Sequence, residues 1–575
     1  MLKSFVPSLK RLKPGILPRL PSLAGRGQAA TEREQAHGRI RIAAIAFLTI
    51  YAIIGGRLAW FGMQDLASAN GFAAGDRTLA SRPDIVDRSG EVLATDVRVA
   101  SLYAEPRRII DADEAVELLS SVLPDLDYEK THAKLKSGSG FAWLKREITP
   151  KQQAEVLALG IPGIGFRSEK RRFYPGGPTA SHIVGLVNVD NQGIAGLEKF
   201  IDDNGLSALQ DAGLAAGAEL EPVRTSIDNR VQHIVRDELA AAMERYSAIA
   251  AGATIIDVHT GEVLAMASLP DYDPNNPFNA LEKDRLNRMS AGTFEMGSTF
   301  KAFTTAMALD SGLVKMTDSF DASRPIQIAR FTINDFHGKG RRLSVPEIFI
   351  YSSNIGTAKM ADKVGTENHR AFLKKIGLLD RMNTELPEVA RPTEPREWKK
   401  LNSITISFGH GVSTTPLQTA VAAATLMNGG KLIDPTFLPR SRAEADEIAR
   451  QVISQKTSED MRYLFRLNVE KGSGRRAEVA GFEVGGKTGT AEKVVNGRYS
   501  SAKRFNAFLS AFPISDPKYV VLVILDEPKA AKDGGGVTAG SNAAPTVSNI
   551  IRRSASLLGV TPEFGNEGAA LLVSY

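Results

Sequence analysis

The chain has no cysteine among its 575 residues. Disulfides, thiolate nucleophiles and cysteine-ligated metals are excluded together. Its eight histidines are scattered. No H-E-x-x-H or comparable ligand spacing occurs, so neither a metal nor another cofactor is expected. No basic stripe interleaved with aromatics is present, and a net charge of +6 is mild for this length. Nucleic acid is therefore not an expected partner. Internal repeats are absent. Only one long apolar run occurs, so at most a single membrane pass is expected. What remains is a chain with 43% hydrophobic residues and 24% charged residues, enough for two or three domains with substantial cores.

The apolar run reads IAAIAFLTIYAIIGG over 42–56, followed by Arg57 and LAWFGM. With Arg57 snorkelling toward the headgroups, the span is long enough for a hydrocarbon core of about 30 Å. Upstream lie Lys3, Lys10, Arg11, Lys13, Arg19, Arg26, Arg33, Arg39 and Arg41, opposed by Glu32 and Glu34. That imbalance places the tail in the cytoplasm and the remainder across the membrane. A cleaved signal peptide competes with this reading, because Ala67 and Ala69 form an A-x-A-like site. A 41-residue leader is long for one. A buried core helix is the third reading.

The expected organisation is a basic, unfolded tail over 1–38, a transmembrane helix over 39–63, a mixed α/β pedestal over 64–222, a larger α+β domain over 223–560 and a tail over 561–575. Residues 228–246 carry Val231, Ile234, Val235, Leu239 and Met243 on one helical stripe. Residues 252–268 read as a hairpin around His259-Thr260-Gly261, and 483–501 as a hairpin around Asn496-Gly497. RFNAFLSAFPI and KYVVLVILDEP supply two further strands, with a helix over about 540–557. Together they predict an antiparallel sheet flanked by helices.

Three S-x-x-K pairs occur: Ser298/Lys301, Ser500/Lys503 and Ser515/Lys518. The pattern alone is cheap. S-x-N occurs at 68–70 and 352–354, and K-T-G once, at 487–489. Only Ser298 precedes an S-x-N that itself precedes the K-T-G. The ordered set is Ser298/Lys301, Ser352/Asn354 and Lys487/Thr488/Gly489, the order used by penicillin-recognising enzymes. GFEVGGKT also fits the P-loop spacing, but a hairpin follows it where a P-loop needs a helix.

A serine hydroxyl needs an adjacent base to become a nucleophile. Helical spacing puts Lys301 one turn from Ser298 on the same face. The helix dipole at a first turn and desolvation by Phe300 and Phe303 both push the lysine toward its neutral form. Ser352 is suited to relay a proton to the leaving group, Asn354 to hold a substrate amide, and Lys487 to add positive charge. Gly489 leaves room for substrate backbone along its strand. The backbone N–H groups of Ser298 and Thr490 are the expected oxyanion hole. Each fragment also has a bland reading: Ser298 as a helix cap, SSN as a loop, GKTGT as a turn.

With these residues placed, the chain resembles a class B penicillin-binding protein over about 39–555. RPDIVDRSGEVLA (82–94) is similar to the family's R-G-x-I-x-D-R-x-G-x-x-L-A arm, with Pro83-Asp84 where glycine is usual. SHIVGLVNVDNQGIAGLEK, EPVRTSIDNRVQ, NRMSAGTFEMGSTFK and FGHGVSTTPLQ are also similar to family stretches. The resemblance implies a D,D-transpeptidase that attacks the D-Ala-D-Ala end of a peptidoglycan stem peptide with Ser298 and passes the acyl group to an amine. Thr488 and Thr490 would hold the terminal carboxylate, and β-lactams would acylate Ser298. The resemblance favours the division-specific, FtsI-like branch over the elongation branch. It implies a single-pass inner-membrane protein with a periplasmic catalytic domain, working with a SEDS-type glycosyltransferase and other division proteins. A D,D-carboxypeptidase, a β-lactamase, a β-lactam sensor and an inactive scaffold are the competing readings.

Overall fold

A computed structural model of the chain describes residues 48–49, 51–52, 82–206, 220–328, 331–495, 497–532 and 534–564. The chain divides into two units, Met1–Arg77 and Thr78–Tyr575. In the first, Leu48, Thr49, Tyr51 and Ala52 are described and helical. The expected tail over 1–38, the rest of the membrane segment over 39–63 and most of the tail over 561–575 lie outside the described residues. Among the described residues no helix is long and apolar enough to cross a membrane.

The second unit begins with a five-stranded sheet. β1 (Ile85–Val86) turns through Ser89-Gly90 into β2 (Val92–Ala104), which pairs antiparallel with β3 (Ala142–Ile148) and β4 (Ile164–Phe173). Gly90 takes φ +95°, a conformation that favours glycine. Helices α1 (Ala112–Val122), α2 (Tyr128–Leu135) and α3 (Pro150–Ala158) close a small core of Leu102, Val116, Leu119 and Leu135 against this sheet.

Two of the stretches singled out above meet in the interior. Glu198, on the short helix α4 (Gly196–Ile201), accepts from Arg82 Nε at 2.8 Å and Arg172 Nε at 2.6 Å. Arg172 also donates to Asp96 Oδ1 at 3.2 Å and to the Pro83 carbonyl at 2.7 Å. The three Glu198, Arg82 and Arg172 side chains are fully buried. Each buried charge is matched, as burial demands. β5 (Val223–Arg224) then runs parallel to β1, leading the chain into the larger domain.

α5 (Asn229–Tyr246) is capped by Asp228 and buries Val231, Ile234, Val235 and Leu239, the predicted stripe. β6 (Ala250–Asp257) and β7 (Val263–Leu269) form the first predicted hairpin. Five helices matter next: α6 (Phe300–Asp310), α7 (Val345–Ile350), α8 (Asn354–Val364), α9 (Pro416–Met427) and α10 (Gln455–Lys471). They are followed by β8 (Gly485–Val495), β9 (Arg498–Phe512), β10 (Tyr519–Asp526) and α11 (Ala543–Ser554).

The strands form one antiparallel sheet in the order β8-β9-β10-β6-β7. Alternation splits β10 between two cores. Val520, Leu522 and Ile524 face the helical side with Phe300, Phe303 and Leu417. Val521, Val523 and Leu525 face α5 and α11. Burial on both faces explains the unbroken apolar run of this strand.

One strand count is corrected. RYSS and RFNAFLSAF form a single 15-residue strand, β9, which stays extended through the residues between them. Lys493 pairs with Ser500 and Glu492 with Arg504, so residues 501–503 of β9 bulge out of the ladder to β8.

Candidate active site

The nucleophile candidate sits in a tight turn rather than at a helix cap. Residues 297–299 form a 3₁₀ turn that runs into α6, and no side chain caps either element. The cap reading of Ser298 is therefore corrected. Its hydroxyl forms no hydrogen bond among the described residues, and its backbone N–H has no acceptor there. Both groups are left available, as first-turn N–H groups are.

The turn is wedged in place by missing side chains. Gly297 takes φ +53°, and a Cβ there would lie 3.0 Å from the Thr490 carbonyl group on β8. A Cβ on Gly409, at φ +92°, would lie 1.9 Å from the Gly297 oxygen. A Cβ on Gly489 would lie 2.5 Å from the Met296 oxygen and 2.7 Å from Thr299 Cγ2. Gly489 was expected to make room for substrate backbone. Instead, its absent side chain lets β8 close on the nucleophile turn.

Lys301 lies in the interior and forms no hydrogen bond with the Ser298 hydroxyl. It is 1% exposed, with Phe300 and Phe303 buried beside it. Its Nζ donates to the Ser352 carbonyl at 2.6 Å and to Ser352 Oγ at 3.0 Å. Lys487, fully buried on β8, donates to the same Ser352 Oγ at 3.0 Å and to the Thr488 carbonyl at 3.1 Å. Two lysine nitrogens thus converge on one hydroxyl. Burial holds the Lys301 pKa well below the ordinary lysine value, and the Lys487 charge lowers it further, while Asp335 opposes both. Burial brings Lys487 down to about 7. A hydroxyl has two acceptor lone pairs and one hydrogen. With both lysines donating, the Ser352 hydrogen is free to go elsewhere.

Ser352 reaches this position through an unusual backbone. It takes φ +55° without being glycine, which costs on the order of 1–3 kcal/mol. Its neighbours supply the restraint. Ser353 Oγ caps α8 by accepting from Gly356 N–H at 2.9 Å and donates to Asp335 Oδ2 at 2.7 Å. Asp335 Oδ1 accepts from Ile355 N–H at 2.9 Å. Asn354 Nδ2 donates to the Asn334 carbonyl at 2.9 Å. That bond fixes the amide and leaves its Oδ1 available to accept a substrate N–H.

On β8 the side chains alternate. Lys487 and Gly489 face the nucleophile turn, and Thr488 and Thr490 face the other way. The Thr488 hydroxyl lies 2.6 Å from Ser473 Oγ. Thr490 Oγ1 accepts from Ala539 N–H at 3.1 Å, so its own hydrogen remains uncommitted. β8 is an edge strand, and its open side borders the turn. The P-loop reading ends here, because Lys487 and Thr488 lie inside a strand that continues to Val495. Ser500/Lys503 lies on β9, where Lys503 pairs with Glu527 at 3.3 Å. The other S-x-N, 68–70, lies outside the described residues.

Several site residues carried no sequence signal. Glu295, three positions before Ser298, accepts from Gly411 N–H at 2.8 Å and from Tyr499 O–H at 3.1 Å. His410 packs edge-on against Tyr499, with ring centroids 5.4 Å apart. Burial and the Lys301 charge bring its pKa down to about 4, so it is neutral. Asp335 and Ser473 were equally invisible, since their roles depend on tertiary proximity.

The arrangement offers a free hydroxyl and N–H at a helix start, a lysine driven toward neutrality and a hydroxyl relay. That is the equipment of serine acyl transfer. Comparison with known proteins agrees. The family model of the penicillin-binding protein transpeptidase domain matches residues 251–552, and that of the penicillin-binding protein dimerisation domain matches residues 77–206. The chain is 39% identical over 547 residues to a probable peptidoglycan D,D-transpeptidase FtsI of Caulobacter vibrioides, covering 92% of this chain and 90% of the relative. It is 33% identical over 505 residues to a probable peptidoglycan D,D-transpeptidase PenA of Neisseria meningitidis, covering 84% and 85%. It is 29% identical over 541 residues to the peptidoglycan D,D-transpeptidase FtsI of Escherichia coli, covering 88% and 90%. With both family domains matched in order and its relatives aligned nearly end to end, the chain belongs to the class B penicillin-binding proteins.

Proposed function

We propose that this protein is a peptidoglycan D,D-transpeptidase that cross-links stem peptides in septal wall synthesis. The observation that carries the proposal is the convergence of Lys301 and Lys487 on Ser352 Oγ, behind an unbonded Ser298 hydroxyl. In this reading Ser298 Oγ attacks the carbonyl of the penultimate D-alanine, and its proton passes to Lys301. The N–H groups of Ser298 and Thr490 stabilise the oxyanion. Ser352 hands a proton to the departing amine, and D-alanine leaves. Thr488 and Thr490 hold the terminal carboxylate, Lys487 adds positive charge behind them, and Asn354 holds the substrate amide. An amine from a second stem then attacks the ester, loses its proton, and releases Ser298. β-Lactams enter the same first step.

The septal role is supported by full-length similarity to two proteins named FtsI. The basic tail and the apolar run over 42–56 support a single-pass anchor over 39–63, with the catalytic domain on the periplasmic side of the inner membrane. A SEDS-type glycosyltransferase and other division proteins are the partners this placement calls for. The test is to supply a D-Ala-D-Ala peptide with an amine acceptor and separate transfer from hydrolysis. Transfer is expected. Hydrolysis alone would leave the carboxypeptidase reading in its place.

A further inference from the structure

The loop between Asn334 and Arg341 reads NDFHGKGR. Its base is pinned to the catalytic motif by the bonds already described, from Asn334 to Asn354 and from Asp335 to Ser353 and Ile355. The loop cannot move far without moving α8. Its tip is exposed, and Lys339 folds back over the Tyr351 ring, with Nζ 4.7 Å from the ring centroid. Tyr351 immediately precedes Ser352. A cation is thus held at the rim of the site, next to the residue on which both buried lysines converge.

Lys339 pairs with no carboxylate among the described residues. Its neighbours explain why. Arg341 takes Glu347 at 2.7 Å, Lys359 takes the Asp321 carbonyl at 2.6 Å, and Asp335 is spent on Ser353 and Ile355. An exposed cation–π contact contributes only about 0.5–1 kcal/mol. It orients the ammonium while leaving its N–H donors toward solvent. Phe336, 74% exposed on the same loop, adds an apolar surface beside the charge.

We infer that Lys339 is a specificity residue that binds a carboxylate carried by the stem-peptide residue preceding the terminal D-Ala-D-Ala. The inference rests on the transpeptidase reading and deepens it. Asn354 is the group assigned to the substrate amide, and its amide is tied to the loop that carries Lys339. A donor peptide held by Asn354 therefore presents its upstream residue to this rim. The preferred donor is one whose third residue carries a free side-chain carboxylate rather than its amide.

The test uses the full-length protein in detergent and two synthetic donors. They are identical except that the side-chain carboxyl of the third residue is free in one and amidated in the other. D-Alanine release is measured for each. The wild type is expected to favour the acid by about fivefold in kcat/KM, the size of a single partly exposed charge contact. Lys339→Ala and Lys339→Gln should reduce that ratio to about one through KM, with kcat retained. Lys339→Arg should keep the preference, and Lys339→Glu should reverse it. Benzylpenicillin labelling of each sample checks that the site has folded. A wild type that turns over both donors equally, or a Lys339→Ala protein that keeps the preference, overturns the inference alone. No D-alanine release from either donor by the wild type overturns the transpeptidase reading and this inference with it.

Discussion

Lys301 Nζ and Ser352 Oγ lie 3.0 Å apart although 51 residues separate them in sequence. Lys301 stands one turn from Ser298, yet its hydrogen bonds go to Ser352. The lysine therefore acts on two hydroxyls, and removing it should abolish proton handling at both. Lys301→Ala is expected to slow penicillin acylation on the order of 10²–10⁴-fold. Lys301→Arg should be no better, because a guanidinium does not become neutral. Stopped-flow acylation rates decide this.

The same lysine is a burden on the fold. An ammonium buried without a carboxylate partner is destabilising, and an apolar residue of similar length is not. Lys301→Met should raise the melting temperature while eliminating acylation. The sign of the pH dependence follows from the depressed pKa values. The unfolded chain binds the lysine proton up to the ordinary value of about 10.4, whereas folded Lys487 loses it near 7. Stability should therefore rise with pH across that window. The advantage of Lys301→Met should shrink between pH 7 and pH 10, as measured by urea unfolding.

Activity should follow the same titration. Acylation needs a neutral lysine, so its rate should fall as pH drops through an acid limb well below the ordinary lysine value. The limb belongs to the Lys301–Lys487 pair jointly. Because the Lys487 charge helps to depress Lys301, Lys487→Met should move the limb to higher pH. Acylation rates between pH 5 and pH 10 give the comparison.

Gly489→Ala isolates the packing of β8 on the nucleophile turn. The new Cβ would meet the Met296 oxygen at 2.5 Å. The strand or the turn must shift, at a cost of about 1–3 kcal/mol. A displacement of that kind should reduce acylation on the order of 10²-fold. Gly140→Ala, at a glycine that is likewise outside the left-handed region and has no atom within 4 Å of the added Cβ, serves as the control.

Asp335 is expected to support the site from behind. Asp335→Ala removes both bonds at the start of α8, costing about 1–2 kcal/mol. It should also slow acylation, because one of the restraints on the left-handed conformation of Ser352 is then lost. Asp335→Asn keeps one acceptor and should fall between the two.

Much of this was legible in the chain itself. The order of Ser298, Ser352 and Lys487 depended only on linear position, and the stripe on α5 and the hairpins depended on local periodicity. The failures share a cause. The bond of Lys301 to Ser352, the approach of Gly489 to Met296 and the support from Asp335 join residues distant in sequence, and no local pattern encodes them. Gly489 is the clearest case: its lack of a side chain was evident, but which neighbour needed the space was not. The fused strand β9 failed for a different reason, since residues 501–503 bulge out of the pairing with β8 and read as a loop, while the strand continues on both sides of them.

The central claim is that Ser298 is the nucleophile. Benzylpenicillin should add one covalent adduct to the intact protein, and peptide mapping should place it on the segment containing Ser298. Ser298→Ala should show no adduct. An adduct that persists in Ser298→Ala, or that maps to Ser352 or another serine, would contradict the account.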